Sequence, residues 1–219
     1  MRIYLKLTAN KQACPFNYQQ NLVGVLHKWL GKNTLHDYLS LYSLSWLSAG
    51  RNIENRYLNF PNGATWFVSS HNNDLIKKLI KGIQTDPDVA FGMQVIEMAI
   101  KQTPDFGESM IFPVATPVLV QRTVGREKIQ YGFDDPKVDE LLTETFKNKM
   151  KKAGLKSEGV SVRFDKNYDR PIRKKITYKG IGNKGSICPV VVEGNKEAVA
   201  FAWDVGIGNS TGIGFGALK

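Results

Sequence analysis

The chain has 219 residues, 42% of them hydrophobic, and a formal net charge of +10. That length accommodates one large domain or two small ones with buried cores, and no apolar run is long enough to span a bilayer. The basic balance favours a polyanionic partner, while two distant cysteines, Cys14 and Cys188, give no zinc-site spacing or disulfide framework.

The opening residues, Met1-Arg2-Ile3-Tyr4-Leu5-Lys6-Leu7, alternate apolar and charged side chains. This predicts a strand over 2–8 rather than the apolar block of a signal peptide, so a cytoplasmic protein is expected. Asn17 and Gln20 have the spacing of a capping box ahead of a helix whose apolar face is Leu22, Val25, Leu26, Trp29 and Leu30, with Gly31 as its stop. Leu41 to Leu47 reads as a strand. Tyr57–Phe60 and Ala64–Ser69, joined by Pro61-Asn62-Gly63, read as a hairpin. A helix over 73–83 and an extended segment over 89–100 complete a β-α-β-β-α-β order.

The same order recurs downstream. Met110–Arg122 is strand-like, a helix follows Asp134-Asp135-Pro136 to about Lys152, and Val160–Phe164, Lys174–Lys179 and Ile187–Glu193 are strands or hairpin arms. Asn195 starts a helix through Trp203, and Ile213–Leu218 can close as a last strand. The expected class is α+β: two tandem ferredoxin-like domains over 1–105 and 106–219, parted where Pro104, Asp105 and Gly107 cluster.

Charge is concentrated in the second half. Between Lys147 and Lys184 there are thirteen lysines and arginines against three acidic residues, an excess equal to the net charge of the whole chain. Arg163, Lys166, Arg170, Arg173, Lys174 and Lys175 interleave with Phe164, Tyr168 and Tyr178. This composition suits phosphate pairing and stacking on unpaired bases, with 165–175 as a loop or hairpin tip. Lys147, Lys149, Lys151 and Lys152 read as solvated helix residues. No RNP-type aromatic motif is present.

Gly206, Gly208, Gly212, Gly214 and Gly216 fall within eleven positions near the C-terminus. Such a loop can turn successive N–H groups toward a phosphate. A dinucleotide fingerprint is excluded because the spacing is one residue too long and no helix and strand follow; no G-K-[ST] of a Walker loop occurs.

A glycine loop of the form G-x-G-x…G-x-G-F-G after two tandem ferredoxin-like domains resembles the RAMP superfamily of CRISPR systems. Gln19-Gln20-Asn21-Leu22-Val23-Gly24, Leu35-His36-Asp37 and Tyr42-Ser43-Leu44-Ser45-Trp46-Leu47, in that order, make the chain most similar to its repeat-processing endoribonucleases. The resemblance implies cleavage of a CRISPR repeat transcript without metal or cofactor, leaving a 2′,3′-cyclic phosphate and a 5′-hydroxyl. Expected partners are the precursor and mature CRISPR RNA, with other subunits of an effector complex or a second copy as further ones.

RNA supplies its own 2′-hydroxyl nucleophile, so the protein need only move protons and stabilise charge. The resemblance places catalysis at His36 and His27; His71 reads as a surface or capping residue. Relatives carry a lysine just before the strand at Tyr42, where this chain has Ser40. Lys28, Lys32 or Arg51, or a basic residue of the second domain, would then hold the phosphate. No Asp/Glu/His cluster has metal spacing. Two other classes compete: a non-catalytic repeat-RNA-binding subunit, and a small-molecule-binding ferredoxin-like protein.

Overall fold

The computed structural model describes residues 1–32 and 39–219. In its first half, β1 (Arg2–Leu7) turns Ile3, Leu5 and Leu7 inward, each at most 1% exposed, as the alternation requires. The helix α1 (Gln19–Leu30) ends at Gly31, which takes φ 63°. Its start differs from expectation: Tyr18 is already helical, no side chain caps the end, and the Asn17–Gln20 box does not form. Burial of Tyr18, whose hydroxyl accepts from the Leu47 N–H at 3.1 Å, fixes the chain there instead.

Next come β2 (Tyr42–Leu44), β3 (Arg51–Ile53), β4 (Tyr57–Asn59), β5 (Ala64–Ser70), α2 (Asn73–Thr85) and β6 (Val95–Lys101). The sheet order is β2-β5-β1-β6, antiparallel throughout, which is the ferredoxin-like arrangement. The expected hairpin of Tyr57–Phe60 with Ala64–Ser69 is not formed. Both edges of β5 are taken by β1 and β2, so β4 pairs with β3. The turn at Gly63 survives, its N–H bonded to Phe60 O at 3.0 Å, but it redirects the chain rather than closing a hairpin. A 3₁₀ turn at Ala90–Gly92 delays β6 to Val95.

The second half contains β7 (Ser109–Phe112), β8 (Val120–Val124), β9 (Glu127–Tyr131), α3 (Val138–Lys152), β10 (Ser161–Phe164), β11 (Ile172–Tyr178), β12 (Ile181–Ile187), β13 (Val190–Glu193) and α4 (Lys196–Val205). Its sheet runs β10-β13-β7. The fourth strand expected over 213–218 shrinks to one bridge, Val114 to Leu218, because Thr211–Ile213 forms a 3₁₀ turn and Gly214 and Gly216 take positive φ. Two antiparallel hairpins, β8–β9 and β11–β12, are inserted into this second ferredoxin-like unit. The β11–β12 reversal falls at Lys179-Gly180, not at 165–175.

Each half has its own core, one around Trp66, Leu26 and Ile76, the other around Phe146, Val162 and Val190. The face of the first sheet opposite its helices carries Arg2, Tyr4, Phe67 and Ser69, and α4 lies against it. No described helix is long and apolar enough to cross a membrane.

Candidate nucleic-acid interface

The glycine loop leaves α4 at Gly206 and folds back on itself. All five glycines are buried. The N–H of Gly206 donates to Ala202 O at 2.9 Å, that of Gly214 to Thr211 O at 3.3 Å and that of Gly216 to Pro117 O at 2.9 Å, while Ile207 N–H donates to Gly216 O at 2.8 Å. Three of the N–H groups expected to face a phosphate are thus spent on protein carbonyls. Glycine is also required here by packing. A Cβ on Gly216 would run into Ile207 O, and one on Gly212 would meet the hydroxyls of Ser40 and Tyr42. Gly208 likewise sits against Leu119 O. The loop is a close-packed joint between the two halves, and its Thr211–Ile213 turn touches both α1 and β2.

Lys149 holds this joint from below. Its side chain is 1% exposed, not solvated as its neighbours on α3 suggested. The ammonium donates to Gly206 O at 3.2 Å, Val205 O at 3.5 Å and Thr211 Oγ1 at 3.1 Å, and Thr211 in turn donates to Tyr42 O at 2.9 Å. A cation at the C-terminal carbonyls of α4 is where the helix end favours one. Burial draws its pKa down to about 7.

The basic stretch divides in two. Arg163 pairs with Glu193 at 3.2 Å, Lys166 with Asp139 at 3.1 Å, Arg170 with Asp169 at 3.5 Å, and Arg173 with Asp134. Arg173 holds the Asp134 carboxyl below its ordinary range. Lys174 and Lys175, by contrast, line a groove between the halves, and Lys179 and Lys184 extend the same hairpin. The Lys174 ammonium lies 5.0 Å from the ring centroid of Trp46.

That groove, about 910 Å³, runs between the segment preceding α1, the segment after β2, and β11. Phe16, Tyr18 and Trp46 give it aromatic walls, and Gln19 and Arg56 also line it. The sequence read Trp46 only as a strand residue and Gln19 only as helix; nothing in their spacing marks a shared site, because β11 reaches them from the other half of the chain.

Lys28 is not among the residues that line this groove. Its ammonium pairs with Asp86 at 2.9 Å and donates to Asp88 O at 2.6 Å, tying α1 to the end of α2 and lowering the Asp86 pKa. His27 is half-buried in the last turn of α1. His36 lies outside the described residues, as do Leu35 and Asp37. Ser40, in the place of the relatives' lysine, sits beside Gly212 and hydrogen-bonds the Tyr42 phenol, whose burial raises its pKa to about 12. His71 is exposed, its ring edge-on to Phe201 at 4.9 Å; Asn72, not His71, caps α2.

The arrangement has close counterparts among known proteins. A structure described as a Cas6-related gene product from Pyrococcus furiosus superposes with a TM-score of 0.86 at 19% identity, over 100% of this chain and 97% of its own. One described as an RAMP protein binding different RNA substrates gives 0.86 at 18%, over 100% and 98%. In sequence, an endoribonuclease-like protein Cas6 of Pyrococcus furiosus is 26% identical over 162 residues, 70% of this chain and 66% of the relative. A Pyrococcus horikoshii protein, Cas6nc, is 25% identical over the same shares. The matched part thus spans just under two thirds of these curated relatives. Residues 101–219, the half that contains the inserted hairpins, α4 and the glycine joint, match the family described as CRISPR associated protein Cas6, C-terminal, and the chain belongs to that family.

Proposed function

We propose that the protein is an endoribonuclease that cuts CRISPR repeat RNA in the cytoplasm to release mature CRISPR RNA. The observation carrying this reading is the family match over 101–219, joined to a fold shared along the whole chain with Cas6 structures. In the proposed step the 2′-hydroxyl loses its proton to one histidine and attacks the adjacent phosphorus. The bond to the 5′-oxygen breaks as a second proton donor protonates it. A 2′,3′-cyclic phosphate and a 5′-hydroxyl remain. His36 and His27 are the proposed proton carriers, since histidine titrates near neutrality. The glycine joint supports the placement: it braces α1, which carries His27, against Ser40 and Tyr42, which follow the segment carrying His36. The nucleophile belongs to the substrate, so no metal is needed for this route. Other effector subunits and a second copy of the chain are proposed as further partners of the RNA-bound protein.

Incubation with a repeat RNA in EDTA tests the reading: cleavage with a cyclic-phosphate end is expected. A 2′-deoxy substitution at the cut site should abolish cleavage and spare binding. His36→Ala is expected to slow cleavage by roughly 10²-fold or more, the usual contribution of a positioned general acid or base; cleavage at the wild-type rate removes His36 from the mechanism. A second reading, an RNA-binding protein that does not cut, is favoured by Ser40 standing where relatives carry lysine and by the commitment of Lys28 to Asp86. Tight binding without cleavage would select it.

A further inference from the structure

We propose that the groove between α1 and β11 is a subsite for one unpaired nucleobase of the bound RNA, stacked on Trp46 and Phe16 and read by the amide of Gln19. This rests on the RNA-binding reading above and adds a base-recognition residue to it. Three observations carry it. First, the walls combine aromatic rings with a cationic rim of Lys174, Lys175 and Arg56, the pairing of chemistry that holds single strands by stacking and phosphate attraction. The nearest acid to Arg56, Glu54, is 4.0 Å away and exposed, and among the described residues Lys174 and Lys175 have no carboxylate partner.

Second, the platform is built in advance. Trp46 is half-buried, and its indole N–H donates to Gly214 O at 2.9 Å, so the glycine joint sets the ring's orientation. Phe16 is 45% exposed at the mouth, an aromatic ring left in solvent beside the cations.

Third, Gln19 is 3% exposed. Its Nε2 reaches Phe16 O at 3.4 Å, and its Oε1 has no hydrogen-bond partner among the described residues. Buried acceptors are nearly always satisfied. A rotation of the amide would present Oε1 and Nε2 to a base edge, which offers a donor beside an acceptor; a bare phosphate offers no donor. Gln19 and His27 are eight residues apart on α1, about 12 Å of helical rise. The base would therefore belong to a nucleotide near the cut.

The test is fluorescence anisotropy in EDTA with labelled decamers of A, C and U, and with the repeat RNA. It uses the wild type, Gln19→Leu, Phe16→Ala and Trp46→Leu, each checked for folding by circular dichroism. The wild type should rank the three homopolymers, and Gln19→Leu should bring them to within about twofold of one another by removing the hydrogen-bonding edge. Phe16→Ala, at an exposed position that leaves the core intact, should weaken all three by roughly fivefold or more through lost stacking. An unchanged ranking in Gln19→Leu, or wild-type affinity in Phe16→Ala, overturns the subsite. If these variants match the wild type while repeat RNA is still bound and cut, only the subsite fails. If the wild type binds none of the RNAs, the RNA reading itself fails, and the subsite with it.

Discussion

Lys149 is charged chemistry in a place with no compensating carboxylate among the described residues: three oxygen acceptors surround it, and all are neutral. Desolvation brings its native pKa to about 7, far below the 10.5 of an exposed lysine. Between those values the unfolded chain keeps a proton that the native protein sheds. Stability therefore rises with pH across that window, and below about 7 the full cost of the buried cation is present. Lys149→Met removes the titrating group. The stability of the wild type minus that of the variant, from urea unfolding at pH 6 to 10, is expected to increase from about pH 7 upward; a difference flat in pH would mean that folding leaves the pKa of Lys149 unshifted. The same residue shows where sequence reading stops at this scale. Lys147, Lys149, Lys151 and Lys152 look alike along α3, and only the arrival of the α4 C-terminus, more than fifty positions later, sets one apart.

At the scale of elements, the two hairpins of the second half decide which charges face a ligand. Of the six basic residues read from the sequence as RNA contacts, Arg163, Lys166, Arg170 and Arg173 are ion-paired, whereas Lys174 and Lys175 line the groove. Replacing Lys174, Lys175, Lys179 and Lys184 by alanine is expected to flatten the salt dependence of RNA binding, by about 0.7–0.9 in log–log slope for each lysine that contacts a phosphate. Arg163→Ala and Arg170→Ala should change the slope little. Equal effects from the two groups would undo this partition. Most strands and helices of both ferredoxin-like units were legible because their apolar periodicity is strong, as in β1 and α2; the strand expected over 213–218 was not, and is one bridge. β12 was not: Ile181-Gly182-Asn183-Lys184-Gly185-Ser186-Ile187 has two glycines and an asparagine, and is a strand because β11 pairs with it along seven residues. β9, Glu127-Lys128-Ile129-Gln130-Tyr131, was missed as well: its short run carries two charges and is a strand because β8 pairs with it along five residues. The glycine loop was legible as a special element but its close packing was not, since crowding against Ile207 and Tyr42 depends on the fold that surrounds it.

The whole molecule is held together by contacts that no local pattern announces. Arg2 is fully buried between the halves, its guanidinium 3.7 Å from the Trp203 ring centroid and 4.1 Å from that of Phe67. One terminal nitrogen donates to Trp203 O at 3.0 Å and the other to Tyr4 Oη at 3.3 Å, while Nε has no partner among the described residues. Beside it, Asp204 of α4 accepts from the Met1 amino group at 2.6 Å and from Thr103 at 2.9 Å. The joint formed by Gly206–Gly216 and Lys149 closes the other side. With two separate cores and a shared interface, unfolding is cooperative only as long as that interface holds. Arg2→Ala removes the stacked guanidinium and leaves a void between Phe67 and Trp203, a loss on the order of 2–4 kcal/mol. Arg2→Met fills most of that volume without a charge to desolvate and should recover much of the loss. In urea, followed by tryptophan fluorescence and far-ultraviolet circular dichroism, the wild type is expected to give coincident transitions and Arg2→Ala two separated ones, because weakening the interface lets each ferredoxin-like core melt at its own midpoint. Coincident transitions in Arg2→Ala would mean that the glycine joint alone couples the two halves.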